Sequence, residues 1–116
     1  AQNEASGPDQ SVYDAINQLR RRPDINMPEV PKGLTKDQMR EVIRRERRIE
    51  LTFEGLYYSD ILRWKTAEKE NNGMMHNYDG IEVVKRSFNP KRDYLWPIPY
   101  NQTVLNPNLE QNPNWD

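Results

Sequence analysis

Residues 44–64, RRERRIELTFEGLYYSDILRW, decide the fold of this chain because they set charged groups beside bulky apolar ones. Helical spacing places Glu46 and Glu50 four residues apart, near the apolar stripe of a predicted helix and not opposite to it. A charge close to an apolar face is costly unless it is paired. The segment therefore predicts either a specific salt-bridge network or a site that uses these charges for chemistry.

The composition bounds the size and class of the protein. The chain has 116 residues, 34% of them hydrophobic, and a mean hydropathy of -1.10, which is low for a self-sufficient core. Charged residues nearly cancel to a net charge of -1, so the balance indicates neither disorder nor a nucleic-acid partner. The absence of cysteine excludes disulfides and thiolate ligands. We expect a piece of a larger protein, buried in part against the rest.

Hydrophobic periodicity predicts a mainly α-helical chain, with helices at about residues 9–21, 36–53 and 57–69. Thr35 can begin the second of these helices, with Gln38 at the position that completes a capping box. The apolar stripes of the first two helices are expected to be buried. Their members are Val12, Ala15, Ile16, Leu19, Met39, Val42, Ile43, Ile49 and Phe53.

The last third of the chain, residues 78–116, reads as an irregular segment rich in proline and asparagine that holds one short strand at residues 81–86. The motif Asn-Pro-Asn begins at residue 106 and again at residue 112, which predicts two successive turns with Leu109 and Trp115 as apolar anchors. Trp64 and Trp96 lie in apolar runs, and we expect both in the core.

Glu46, Glu50 and Glu54 form a ladder of carboxylates at helical spacing. One interpretation is a divalent-metal or general acid/base site. The other is a structural ion-pair network in which Arg47, Arg63 or another basic residue neutralises the ladder. A carboxylate metal site in a helical bundle usually recruits a Glu-x-x-His pattern, and the only histidine lies outside the ladder. The sequence therefore favours ion pairs.

Other chemistry finds little support in the residues. The arginine-rich residues 44–48 alternate with acidic groups in their helix and lack interleaved aromatic side chains, so they do not predict nucleic-acid binding. The chain has no nucleophile elbow and no phosphate-binding glycine loop. We therefore expect neither an enzyme nor a bound cofactor.

Six short motifs in order resemble the C-terminal end of the SusD/RagB-like outer-membrane proteins of Bacteroidetes. They are NEASG, INQLRRRPDI, RRERRIELTFEG, YYSDILRW, YLWPIP and NPNLEQNP, and together they extend over almost the whole chain. Two places depart from the family pattern. Leu56 follows the glycine where a basic residue is common, and residues 114–115 are Asn-Trp where Gly-Tyr is typical.

This resemblance implies a protein several hundred residues long, built on tetratricopeptide-like helix pairs and anchored by lipid on an N-terminal cysteine that the chain lacks. Such proteins bind glycans or other nutrients at the cell surface. They deliver these ligands to a TonB-dependent, SusC-like transporter without altering them. The present chain would then be mostly scaffold, packed against the upstream part of the same protein.

The ligand contacts of the family usually lie upstream, so none transfers by motif. The loop of Asn77, Tyr78 and Asp79 is the best remaining expectation for a ligand contact, because it is polar and follows the third helix. Two alternatives stay open. One is a helix-repeat interaction module, although no 34-residue period is evident. The other is a carboxylate-metal enzyme domain.

Overall fold

A computed structural model describes residues 1–115 of the chain, and within that range it is mainly helical with one two-stranded antiparallel sheet. The chain divides into two compact units, unit 1 at Ala1–Gly55 and unit 2 from Leu56 onward. The elements are α1 Gln2–Ser6, α2 Gln10–Arg20, α3 Lys36–Glu50, α4 Tyr57–Arg63, α5 Ala67–Glu70, β1 Gly73–His76, β2 Glu82–Arg86 and α6 Tyr100–Leu105.

The two long helices of unit 1 begin at side-chain caps. The Asp9 carboxylate accepts a hydrogen bond from the backbone N–H of Val12 at 3.2 Å and begins α2. Thr35 begins α3: its hydroxyl accepts from the N–H of Gln38, and the Gln38 side chain accepts from the N–H of Thr35. This reciprocal pair satisfies two backbone donors that the helix leaves open. The predicted capping box is confirmed.

The core of unit 1 lies between α2, α3 and the connector that joins them. Its buried members are Val12, Tyr13, Ile16, Val30 and Met39, with Leu34, Val42 and Ile43 packed against them. Two polar side chains tie the connector to α2. The Asn17 amide oxygen accepts from the N–H of Val30 at 2.9 Å, and the Tyr13 hydroxyl accepts from the N–H of Leu34 at 3.0 Å.

The predicted end of the second helix at residue 53 is wrong, because α3 ends at Glu50. The Thr52 hydroxyl donates to the carbonyl of Arg48 at 2.8 Å, which offers the chain a local alternative to another helical turn. Phe53 then adopts a left-handed φ of 68° and is fully exposed. The apolar stripe therefore does not continue to Phe53.

The predicted third helix, at residues 57–69, is two shorter helices. Lys65 takes a left-handed φ of 56° between α4 and α5. The N–H of Lys65 donates to the carbonyl of Leu62 at 3.1 Å, and the N–H of Thr66 donates to that of Ile61 at 2.9 Å. This is the Schellman pattern that ends helices, usually with glycine at the left-handed position. A lysine there gives the sequence no stop signal, which explains the error.

Unit 2 has a smaller core, made of Ile61, Ala67 and Phe88 with Tyr57, Leu62 and Tyr94 against it. The rings of Phe88 and Tyr94 meet edge to face, with centroids 4.9 Å apart. The amide of Asn72 accepts from the N–H of Phe88 at 2.7 Å and donates to its carbonyl at 3.2 Å. One polar side chain thus holds both backbone groups of the central aromatic residue.

The predicted strand at residues 81–86 is present as β2, but its partner β1 lies in a segment for which the sequence predicted no strand. The two strands pair from Gly73 opposite Arg86 to His76 opposite Glu82, with an irregular step after Met75. All residues of both strands are exposed. Methionine carries little strand preference, so β1 gave no local signal and is defined by its partner.

The expectation of an irregular final segment is wrong at α6, which follows Pro99. None of its residues is buried, so it shows no apolar periodicity for the sequence to reveal. Both predicted Asn-Pro turns are present: the N–H of Leu109 donates to the carbonyl of Asn106, and that of Trp115 donates to Asn112. Leu109 and Trp115 are half-buried, as anchors would be.

Several expected core positions are exposed instead. Leu19 is 40% exposed, Ile49 57% and Trp96 70%, while Ala15 is also exposed and Trp64 is half-buried. Only part of the apolar stripe of α2 and of α3 is buried in the core of unit 1, and other apolar side chains of each stripe remain exposed. Trp96 lies between Leu95 and Pro97, in a stretch that is neither helix nor strand.

Candidate functional site

The charged edge of unit 1 joins the end of α2 to α3. Arg20 forms an ion pair with Glu46, in which each side chain is only 16% exposed, and its Nε also donates to the carbonyl of Pro28 at 2.6 Å. Arg22 holds Glu50 through two hydrogen bonds of 2.6 and 2.7 Å. Bidentate contact of this kind fixes geometry as well as charge. The two ion pairs therefore link α3 to the end of α2 and to the residue that follows its cap.

The ladder predicted from the sequence does not extend over three carboxylates. Because α3 ends at Glu50, Glu54 lies in the following turn and is exposed. Arg63 lies in unit 2, where it pairs with the buried Asp60 at 2.8 Å. Arg47 lines the groove described below. The sequence did not identify Arg20 and Arg22 as the counter-ions of Glu46 and Glu50, although their position at the end of the first predicted helix could have suggested them.

An apolar groove runs between α2 and α3 beside this charged edge. Its volume is about 320 Å³. Most of its surface is apolar, and its lining consists of Ala15, Ile16, Leu19, Ile43, Glu46, Arg47, Glu50 and Leu51. A mostly aliphatic groove between two helices suits the apolar face of a further helix.

The expected ligand loop forms the turn between β1 and β2. The amide oxygen of Asn77 accepts from the N–H groups of Asp79 and Ile81, at 3.0 and 2.9 Å, so this side chain builds the turn. Tyr78 is 97% exposed at the tip. The turn therefore presents a tyrosine ring and a neighbouring carboxylate on a hydrogen-bonded frame.

The described residues, 1–115, bring no three histidine, aspartate or glutamate side chains together in a way that could hold a metal ion. His76 lies on the exposed β1, opposite Glu82. Within the same range, no helix is both long and apolar enough to cross a membrane.

Two carboxylates have pKa values set by a hydrogen-bonded arginine. Arg40 bonds both oxygens of Glu4 at 2.6 Å, which lowers the pKa of Glu4 from 4.5 to about 2. Arg92 donates to Asp93 at 2.6 Å, and the N–H of Asn89 donates at 2.7 Å; together they lower the pKa of Asp93. Both carboxylates are thus held ionised at neutral pH.

The comparisons with known proteins agree with this mainly helical architecture: the chain belongs to the SusD family, which it matches over residues 1–115. It is similar to SusD-like protein P2 of Formosa agariphila, with 32% identity over 97% of this chain and 22% of the relative.

This chain is also similar to solved structures of SusD-like proteins. A SusD-like carbohydrate binding protein from Bacteroides fragilis superposes with a TM-score of 0.77 and 35% identity, over 89% of this chain and 24% of that one. A SusD homolog from Bacteroides thetaiotaomicron gives a TM-score of 0.70 and 30% identity, over 93% and 23% of the two chains. The chain thus spans about a quarter or less of the length of the relatives it matches.

Proposed function

We propose that this chain is part of a surface protein that binds glycans and delivers them to a TonB-dependent, SusC-like transporter of the outer membrane, without altering them. The observation that carries the proposal is the family match over residues 1–115. The likeness to a carbohydrate binding protein at 35% identity supports the choice of glycans as ligands. The whole protein would be lipid-anchored and exposed at the cell surface.

Within this protein the chain would act mostly as scaffold. The aliphatic groove between α2 and α3 would receive a helix from the rest of the protein, as in a tetratricopeptide-like array of helix pairs. Its volume of about 320 Å³ and its exposed Leu19 support this role, since water-exposed aliphatic surface is unfavourable when a partner can cover it. The length of the relatives supports it too, because most of their chain lies outside the matched part.

The turn between β1 and β2 would add a ligand contact from Tyr78 and Asp79. Tyrosine offers an apolar ring face to the C–H groups of a sugar and a hydroxyl to its oxygens. Asn77 would hold the turn in place, since its amide oxygen accepts two backbone hydrogen bonds. A rigid turn keeps the entropic cost of binding small.

The test of the function is a glycan array probed with the full-length protein, followed by calorimetry with the glycan that binds most strongly. We expect saturable binding, and chromatography of the mixture should return the glycan unchanged. A TonB-dependent transporter that copurifies from outer membranes would identify the delivery partner. Failure to bind any glycan, or release of a shortened product, would contradict the proposal.

The ligand contact is tested by Tyr78→Ala, with Tyr100→Ala as the matched control. Both side chains are highly exposed, at 97% and 82%, so neither substitution should affect folding. We expect Tyr78→Ala to weaken glycan binding by about fivefold, on the scale of one aromatic contact. Equal affinity of the two variants would remove the turn from the binding site and leave the family function intact.

A further inference from the structure

Trp96 is an exposed indole held on a rigid backbone. Its own carbonyl accepts from the amide of Asn112 at 2.7 Å. Two residues on, the side chain of Gln111 bonds both the N–H and the carbonyl of Ile98, each at 2.8 Å. Proline at position 97 restricts the backbone between these two attachments. The ring is 70% exposed although its backbone is fixed on both sides.

Beside this indole lies an open cleft of about 100 Å³ within unit 2. The ring of Tyr58 meets that of Trp96 edge to face at 6.1 Å, and Trp115 lines the cleft as a second indole. The Nε1–H of Trp115 donates to the carbonyl of Leu95 at 2.9 Å, which fixes this second ring. Together with Phe88, four aromatic side chains thus line one small concave surface.

Polar groups share this cleft with the aromatic rings. Asn71, Ser87 and Asp93 belong to its lining. Asp93 is positioned by the N–H of Asn89, and Arg92, which bonds it, stacks over the ring of Trp115 at 4.5 Å. An amide, a hydroxyl and an ionised carboxylate can all exchange hydrogen bonds with hydroxyl groups of a ligand. Few polar groups among aromatic ones are typical of a small-molecule site.

We propose that this cleft, lined by Trp96, Tyr58 and Asp93, is a subsite for one neutral pyranose ring of a glycan. The inference rests on the proposed function and adds to it a place on this chain and a class of sugar. The C–H face of the ring stacks on Trp96, while its hydroxyl groups bond the cleft. The small volume admits the edge of one ring. Among the described residues the lining holds no basic side chain that could pair with a uronate or a sulfated sugar, which favours a neutral one.

The competing occupant is an apolar segment from the rest of the protein. The lining argues against it, because such a segment would strip water from Asn71 and Ser87 without replacing the hydrogen bonds that water makes to them. The groove of unit 1, whose surface is mostly aliphatic, has the opposite character. A sugar can contact both the aromatic and the polar side chains of the cleft, since it carries an apolar C–H face and hydroxyl groups around it.

The experiment measures glycan affinity of full-length Trp96→Ala, Trp96→Tyr and a control, Leu105→Ala, by calorimetry with the neutral glycan selected on the array. Leu105 is an exposed apolar side chain outside the cleft. We expect Trp96→Ala to weaken binding by about tenfold or more, on the scale of an aromatic anchor. Trp96→Tyr should keep most of the affinity because it keeps a stacking face, and Leu105→Ala should bind as the parent protein does.

Thermal melting of the same variants completes the test, and the parent melting midpoint should persist in Trp96→Ala. A marked fall in that midpoint would mean that the rest of the protein covers the indole, which overturns the subsite. Unchanged affinity in Trp96→Ala, or selection of only acidic glycans by the array, also overturns it while the proposed function survives. If the parent protein binds no glycan at all, the function itself is wrong.

Discussion

Different interactions stabilise the inside of each of the two units. Unit 1 consists of helices whose apolar sides meet in a core of Val12, Ile16 and Met39, with ion pairs fastening the edge between α2 and α3. Unit 2 holds its irregular segments by hydrogen bonds from side chains to the backbone, above all those of Asn72 and Gln111. Its own hydrophobic core is smaller.

The two units also differ in the chemistry of the concave surfaces that they leave uncovered. Unit 1 leaves a mostly aliphatic groove, and unit 2 leaves an aromatic cleft with polar lining. Aliphatic surface gains only by contact with another apolar surface, whereas an aromatic face next to polar groups can bind an amphipathic ligand such as a sugar. We therefore propose a scaffold role for the first surface and a recognition role for the second, and the following substitutions test that division.

The largest effect is expected for Glu46→Ala in unit 1. It removes the partner of Arg20, whose side chain is 16% exposed, and leaves a guanidinium with only the carbonyl of Pro28. An uncompensated, largely buried charge should lower the free energy of unfolding of the full-length protein by about 2–4 kcal/mol. Thermal and urea unfolding would measure it.

The matched control is Glu50→Ala on the same helix, which removes the partner of Arg22. That pair is more open, with side chains 46% and 35% exposed, and should cost only about 0.2–1 kcal/mol because solvent screens it. Equal losses in the two variants would show that burial does not distinguish these ion pairs. An unchanged melting midpoint in Glu46→Ala would remove the charged edge from the framework altogether.

Leu19→Asp tests whether the rest of the protein covers the aliphatic groove. If a helix packs there, a carboxylate at Leu19 becomes buried without a partner, and the full-length protein should lose about 2 kcal/mol of stability. Gln18→Asp, the neighbouring exposed position on α2, places the same charge near the same helix end and should change stability by less than about 0.5 kcal/mol. Similar melting of the two variants would mean that the groove stays open to water.

The sequence predicted unit 1 better than unit 2, and the reason is physical. A capped helix with an apolar stripe carries its signal within a few residues, so Thr35 and the course of α2 and α3 could be inferred locally. The strand β1 has no such signal, because only its pairing with β2 makes it a strand. The end of α4 depends on Lys65, a residue type that does not indicate a helix stop.

The candidate sites followed the same pattern. The need for counter-ions at Glu46 and Glu50 could be inferred from the helical wheel, but their partners, Arg20 and Arg22, lie at and just beyond the end of another helix. Trp96 was expected in the core because large aromatic side chains usually are buried. Its exposure depends on hydrogen bonds from residues 111 and 112, which are distant in sequence and show no spacing that predicts them.

A smaller effect is expected at Lys65, whose backbone has a left-handed φ of 56°. A side chain at this φ costs about 1 kcal/mol, which glycine avoids. The ammonium group of Lys65 offsets part of that cost, since it lies 4.1 Å from the centre of the Tyr94 ring. Lys65→Ala removes this contact and keeps the strain, whereas Lys65→Gly removes both.

Lys65→Gly should therefore be more stable than Lys65→Ala by about 1 kcal/mol in urea unfolding, and close to the parent protein. The order of the two variants is the informative result. If alanine were as stable as glycine, the left-handed conformation would not be what ends α4, and the third helix expected from the sequence would be recovered in solution.

The smallest effect is expected at Glu4. This residue lies on α1 and forms an ion pair with Arg40 on α3. The pair lowers the pKa of Glu4 from 4.5 to about 2 in the folded protein. A carboxyl group with a lowered folded pKa contributes stability above its unfolded pKa and loses it as the pH falls through the folded one. The difference in melting midpoint between the parent and Glu4→Gln should thus be positive at pH 6 and shrink between about pH 4.5 and 2. Because the pair is solvent-exposed, 1 M salt should reduce that difference at pH 6. Arg40→Gln removes the largest cause of the lowered pKa and should narrow the same window, with Lys36 still lowering the pKa of Glu4. A window of unchanged width in Arg40→Gln would assign it to another carboxylate.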